Sequence, residues 1–139
     1  MSNIKQKQEE IVQEFSIFED WMEKYEYIIE LGKDLSGLDE LEKTDDKLIE
    51  GCQSRVWLKT EVNDGSMSFY ADSEAIIAKG IIGLLIRVFD NESPEEIVKA
   101  ELDFIDEIGL REHLSITRSN GLLGMIKKIK TSALLAVNK

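Results

Sequence analysis

The chain of 139 residues contains one cysteine, one histidine and one proline. A single cysteine excludes an internal disulfide, and by itself it cannot assemble a Cys-rich zinc or iron–sulfur site. With one proline there is no Pro-rich linker, and no internal repeat or low-complexity segment is visible, so residues 1–139 read as one domain. Long apolar runs are missing too. The longest, IIAKGIIGLLIRVF (76–89), is broken by Lys79 and Arg87 and is too short to span a bilayer. Positive charge is in short supply, with 17 basic against 28 acidic residues and a net charge of −11. Such a surface repels phosphate backbones and anionic lipid, which argues against nucleic-acid and membrane partners. The start, MSNIKQKQEEIV, is charged and has no apolar signal core, so a cytoplasmic protein is expected.

What is present is the balance of a globular protein, 42% apolar and 32% charged, long enough to bury a real core. Ile4, Ile11, Phe15 and Phe18 recur at helical spacing and predict an opening amphipathic helix. Asp20 with Glu23 reads as a capping box for a second helix with apolar positions Trp21, Met22, Tyr25, Ile28 and Ile29, stopped by Gly32. After a polar connection the period changes to two. A strand over 55–62, the turn Asn63-Asp64-Gly65 and a return strand over 66–71 predict an antiparallel hairpin. Asp72 and Ser73 offer caps for a helix from Glu74 to Phe89, apolar on nearly all sides, in which Gly80 and Gly83 suit close packing. Ser93-Pro94-Glu95-Glu96 starts a short helix, and LDFIDEIGL is a helical turn closed by Gly109. Thr117 could cap a last helix with Leu122, Leu123, Met125, Ile126, Ile129, Leu134 and Val137 on its buried face. The fold class expected is α+β, a small antiparallel sheet packed with several helices.

The candidate for chemistry is Cys52, in LIEGCQSRVW. A free cysteine is commonly a small buried hydrophobe. Here Gly51 permits a sharp turn, Gln53 and Ser54 are polar, and Arg55 is a neighbouring cation that would favour thiolate. His113 could pair with Cys52 in a thiol enzyme, or be a plain surface histidine. Arg118 and Ser119 open the last helix, where an anion is favoured, although capping and solvation account for them equally well. The carboxylates, Glu74 beside Asp72 included, are scattered and fit helix starts and solvated faces. No P-loop, Rossmann fingerprint, HExxH or GxSxG motif occurs.

The segments WMEKYEYIIELGKDL (21–35), IEGCQSRVWL (49–58), ADSEAIIAKGIIGLLI (71–86), SPEEI (93–97) and LREHLSITRSNGLLGMIKKIK (110–130) carry a resemblance. In these the chain resembles the SufE family of sulfur acceptors, whose fold is similar to that of the IscU-type iron–sulfur scaffolds. The resemblance implies a covalent sulfur carrier and desulfurase activator rather than an autonomous enzyme. It would take a persulfide sulfur from a pyridoxal-phosphate cysteine desulfurase (SufS-like) onto Cys52 and deliver it to a SufBCD-type scaffold complex. It implies no cofactor and no metal of its own. Gly51, Gln53, Ser54, Arg55, Glu74, His113 and Arg118 become candidates for supporting the transfer or docking a partner. Ser36, Glu74 and Ile116 depart from the proline, aspartate and proline usual in the family. Two other readings stay open, a Cys52–His113 thiol enzyme and a binding module in which Cys52 is silent. A free persulfide is vulnerable to oxidation and to small thiols, so Cys52 is expected to be shielded by apolar neighbours until a partner opens its loop.

Overall fold

The computed structural model describes residues 3–138. Helix α1 (Ile4–Phe15) buries Ile4, Gln8, Ile11 and Phe15 along one face, the 3.6-residue stripe of an amphipathic helix. It stops at Phe15. Phe18 lies beyond its end, edge-on to Phe15 and against Tyr27. Helix α2 (Trp21–Lys33) starts where the Asp20 carboxylate accepts the Glu23 N–H at 2.9 Å. Met22, expected on its apolar face, is 69% exposed.

Gly32 does not stop this helix. It lies inside α2 opposite Gly80 of α3 (Ile76–Phe89), where a Cβ on Gly32 would stand 2.8 Å from the Gly80 nitrogen. A Cβ on Gly80 would overlap the Ile28 carbonyl oxygen. The two backbones touch, and no side chain fits between them.

Strands β1 (Val56–Asn63) and β2 (Ser66–Ser73) form the antiparallel hairpin in the register Val56↔Ser73 to Asn63↔Ser66. Asp64 and Gly65 make its two-residue turn, both at positive φ as a primed turn requires. The return strand runs two residues further than the alternation indicates. Asp72 and Ser73 therefore belong to the sheet, and α3 begins at Ile76 rather than Glu74, with no side-chain cap. Asp72 instead accepts from the N–H groups of Leu38 and Ser73 and lies 3.4 Å from both Lys43 and Lys79. It thereby pins the connection 34–47, which holds the 3-10 turns Glu40–Glu42 and Asp45–Lys47, to the hairpin.

Helix α4 (Pro94–Lys99) is capped by Ser93 and carries proline at its start, as expected. The short turns α5 (Phe104–Glu107) and α6 (Leu110–His113) meet at Gly109. Helix α7 (Ile116–Val137) is capped by Ser115, whose hydroxyl accepts the Arg118 N–H, so Thr117 lies inside the helix. Gly121, Leu122, Met125, Ile129 and Ala133 form its buried face, whereas Leu123, Leu134 and Val137 face outward. A connected core joins α1, α2, the hairpin, α3 and α7, with α3 as its most apolar member. The fold is α+β, mostly helical with one hairpin.

Candidate functional site

Residues 50–55 cross the start of α7 as a loop. Gly51 takes φ +92°, a region closed to most side chains, and its Cα faces the Asn120 carbonyl of α7. The loop's near end is tied by the Ile49 N–H to the Val56 carbonyl, 2.9 Å. Its far end is held more heavily. Ser73 Oγ donates to the Arg55 carbonyl at 3.0 Å, and the Glu74 N–H donates to the same oxygen at 3.3 Å. The Arg55 guanidinium grips both Glu74 carboxylate oxygens at 2.9 and 2.8 Å. Both ends are closed onto the body of the protein.

This loop turns Cys52 inward. The residue is half-buried, and its Sγ lies 3.7 Å from the Gly121 carbonyl oxygen. It borders a pocket of about 320 Å³ that also involves Gln53, Ser54, Ala75, Ile76, Ile77, Ala78, Thr117, Arg118 and Gly121. One wall is apolar and comes from the first turn of α3. The other is the first turn of α7 with Arg118, the one cation lining the pocket among the described residues. Burial pushes the Cys52 thiol up from its ordinary value. That shift favours the neutral thiol over the thiolate.

Two expectations about neighbours need correction. Arg55 does not favour the thiolate, because its guanidinium is engaged by Glu74 and lies over the Trp57 ring, 5.4 Å from its centroid. Burial is what moves the thiol, in the opposite direction. Glu74 in turn is held below the usual carboxylate range by its hydrogen bonds from Arg55. His113 is stacked on Trp21 with ring centroids 4.2 Å apart, and its Nδ1 lies 2.8 Å from the Gly109 carbonyl. It is absent from the pocket around Cys52, and no hydrogen bond joins the two. The geometry of a Cys–His catalytic pair is not formed. Gln53, Ser54 and Arg118 do gather with Cys52, whereas Gly51 acts through the backbone turn that aims it.

The pocket residues not singled out from the sequence are Ala75, Ile76, Ile77, Ala78, Thr117 and Gly121. The α3 residues read as core because apolar periodicity cannot tell a core wall from a pocket wall. Thr117 and Gly121 sit in TRSNG, one helical turn apart, a spacing that places both on the side of α7 facing the loop. Among the described residues no group of three His, Cys, Asp or Glu side chains could hold a metal ion. No helix there is long and apolar enough to cross a membrane.

An α+β fold in which the first turns of two helices flank one half-buried thiol defines a class of small cysteine-bearing proteins without a Cys–His dyad. Comparison with known proteins narrows the class. Residues 9–133 match the SufE family, described as an Fe-S metabolism associated domain, and the chain belongs to that family. It is 36% identical over 130 residues to an uncharacterised SufE-like protein of Rhizobium meliloti, covering 90% of this chain and 93% of that one. A second uncharacterised SufE-like protein, from Rhizobium etli, is also 36% identical over 130 residues, covering 90% of this chain and 88% of its own. In fold the chain is similar to a hypothetical protein from Thermus thermophilus solved in solution. The TM-score is 0.78 at 18% identity, over 96% of this chain and 97% of that one. Membership places the protein in Fe–S metabolism.

Proposed function

We propose that this protein is a covalent sulfur carrier in which Cys52 accepts a sulfur atom from the persulfide of a pyridoxal-phosphate cysteine desulfurase. It then passes that sulfur to a SufBCD-type iron–sulfur scaffold complex, and by clearing the persulfide it stimulates the desulfurase. It is a carrier and activator, and the cofactor chemistry belongs to its partner. The observation that carries this reading is the chain's single thiol, half-buried in a pocket that mixes apolar walls with one arginine.

The chemistry needs one nucleophile and no second thiol. Cys52 loses its proton, its sulfur attacks the terminal sulfur of the donor persulfide, and the donor cysteine leaves as thiolate. One S–S bond forms as another breaks, with no net oxidation. A second cysteine nearby would release the cargo by closing a disulfide. The reduced thiol pool of the cytoplasm suits a protein built this way.

Burial makes Cys52 a poor nucleophile at rest, so the transfer requires the loop to open when the partner docks. Arg118 is then the group placed to steady the anionic sulfur, with Gln53 and Ser54 beside it. Arg55 and Glu74, joined across the loop's far end, are the contacts a partner must loosen. His113 lies outside this pocket, and its place in the reading is at most a docking contact.

Intact-mass measurement after mixing the protein with an active desulfurase and cysteine tests the proposal. The protein should gain one sulfur that reductant removes, and Cys52→Ser should gain none and fail to stimulate turnover. Full stimulation by Cys52→Ser would leave an allosteric role and overturn the carrier.

A further inference from the structure

Helix α7 exposes large apolar side chains in a pattern. Ile116 is 83% exposed, Leu123 53%, Leu134 50% and Val137 39%. The steps between them, 7, 11 and 3 residues, are those of a heptad seam. At 3.6 residues per turn they fall in a stripe about 80° wide, and Lys127 lies within it. Single exposed leucines are ordinary. A continuous stripe along a helix of 22 residues, about 33 Å, is the face that one helix presents to another.

Charge says what that other helix carries. The sequence of α7 holds Arg118, Lys127, Lys128 and Lys130 and no carboxylate, in a chain of net charge −11. Lys128 and Lys130 turn aside to the backbone carbonyls of Asp46 and Ala100. Lys127 stays in the stripe, exposed, and its ammonium has no partner among the described residues. A second copy of the chain fits this face poorly. Lys127 lies at the middle of the stripe, so two α7 helices paired about a twofold axis, parallel or antiparallel, would bring Lys127 against its own counterpart. A carboxylate on a different helix removes the conflict and fixes the register.

We propose that the outer face of α7 is a docking surface for an amphipathic helix of a partner protein, one with an apolar stripe and a carboxylate set against Lys127. The face lies about 120° around α7 from Thr117, Gly121 and Gly124, which meet the Cys52 loop. A helix seated on it leaves residues 50–55 uncovered. The surface goes beyond the carrier reading and does not depend on it, because its occupation is read on the unloaded protein.

A labelled synthetic peptide of three heptads tests this, with leucine at the a and d positions, glutamate at the central a position and glutamates flanking the seam. A second peptide has lysine at each glutamate, and a third is a scramble of the first. Fluorescence anisotropy with the full chain should show saturable binding of the glutamate peptide and none of the scramble. Long-range charge alone favours the lysine peptide, so preference for the glutamate peptide reports Lys127 locally. Leu123→Glu should weaken binding at least tenfold, and Lys127→Glu should do the same while gaining the lysine peptide. Both variants change exposed positions and should melt with wild type. Equal binding of the scramble, preference of wild type for the lysine peptide, no binding at all, or unchanged affinity in Leu123→Glu would each overturn the proposal. So would a wild-type dimer in sedimentation that Leu123→Glu disperses, since the occupant would then be a second copy. With the glutamate peptide at saturation, Cys52 should still gain sulfur from a desulfurase and cysteine at the unblocked rate. Blocked loading would overturn the separation of this face from the Cys52 loop, whereas failure to load without any peptide would count against the carrier reading alone.

Discussion

Cys52 is defined at the residue scale by opposing requirements. In the carrier proposed above its sulfur must be a nucleophile during transfer and inert otherwise, and burial, which pushes the thiol up, favours the second. Alkylation of the resting protein should accordingly follow a pH profile whose midpoint lies above the ~8.5 of an unperturbed thiol. Iodoacetamide kinetics read by mass would check it, and a midpoint below that of free cysteine would mean that an unseen cation activates the sulfur. Arg55, close by in sequence, is not that cation because Glu74 holds it. His113 is not a partner either. Its stack on Trp21 and its contact with the Gly109 carbonyl occupy it elsewhere.

The elements work because they touch at backbone distance. Helices α2 and α3 pack glycine against glycine, and this sets where the first turn of α3, one wall of the Cys52 pocket, begins. Gly80→Ala would drive a methyl group into the Ile28 carbonyl and should destabilise the protein by about 3 kcal/mol. Urea unfolding measures this, and an unchanged midpoint would show that the helices can part freely. Gly83 makes the contrast, since a Cβ there would meet only the Leu31 oxygen at 4.0 Å. Of the two glycines whose place in α3 suggests close packing, only Gly80 provides it.

For the whole molecule, stability is tied to carboxylates that bind distant segments together. Glu14 of α1 is held below the ordinary carboxylate range first by hydrogen bonds from Arg87 of α3, with Tyr27 of α2 adding to them against the cost of burial. For Asp72, burial pushes upward, but the N–H groups of Leu38 and Ser73 together with Lys79 and Lys43 outweigh it and leave the group below its usual value. A depressed folded-state value means that the stabilisation is present above the unfolded-state value and lost as pH falls through the folded one. The melting temperature should thus hold near neutrality and drop once pH passes below about 4. Circular dichroism melts would check this, with Glu14→Gln expected to show a lower plateau and a shallower acid decline. An unaltered acid limb in that variant would assign the loss to other groups.

Much of this protein was determined by local sequence. The amphipathic stripe of α1, the Asp20 and Ser93 caps, the Asp64-Gly65 turn and the two-residue alternation of the hairpin are short-range effects, and each is visible in a window of a few residues. The thiol stood out as the candidate for chemistry too, through its setting in GCQSRVW. Tertiary structure decided the rest. Sheet pairing carried Asp72 and Ser73 past the apparent strand end, because the connection 34–47 needed a carboxylate partner there. Packing made Gly32 a contact instead of a stop, and it turned Leu123, Leu134 and Val137 outward on a helix whose apolar residues circle most of its surface. The direction in which Cys52 points was likewise set by partners far along the chain, Gly121 at one side and Glu74 at the other. Those contacts span 69 residues from Cys52 and 19 from Arg55, separations that no local pattern encodes.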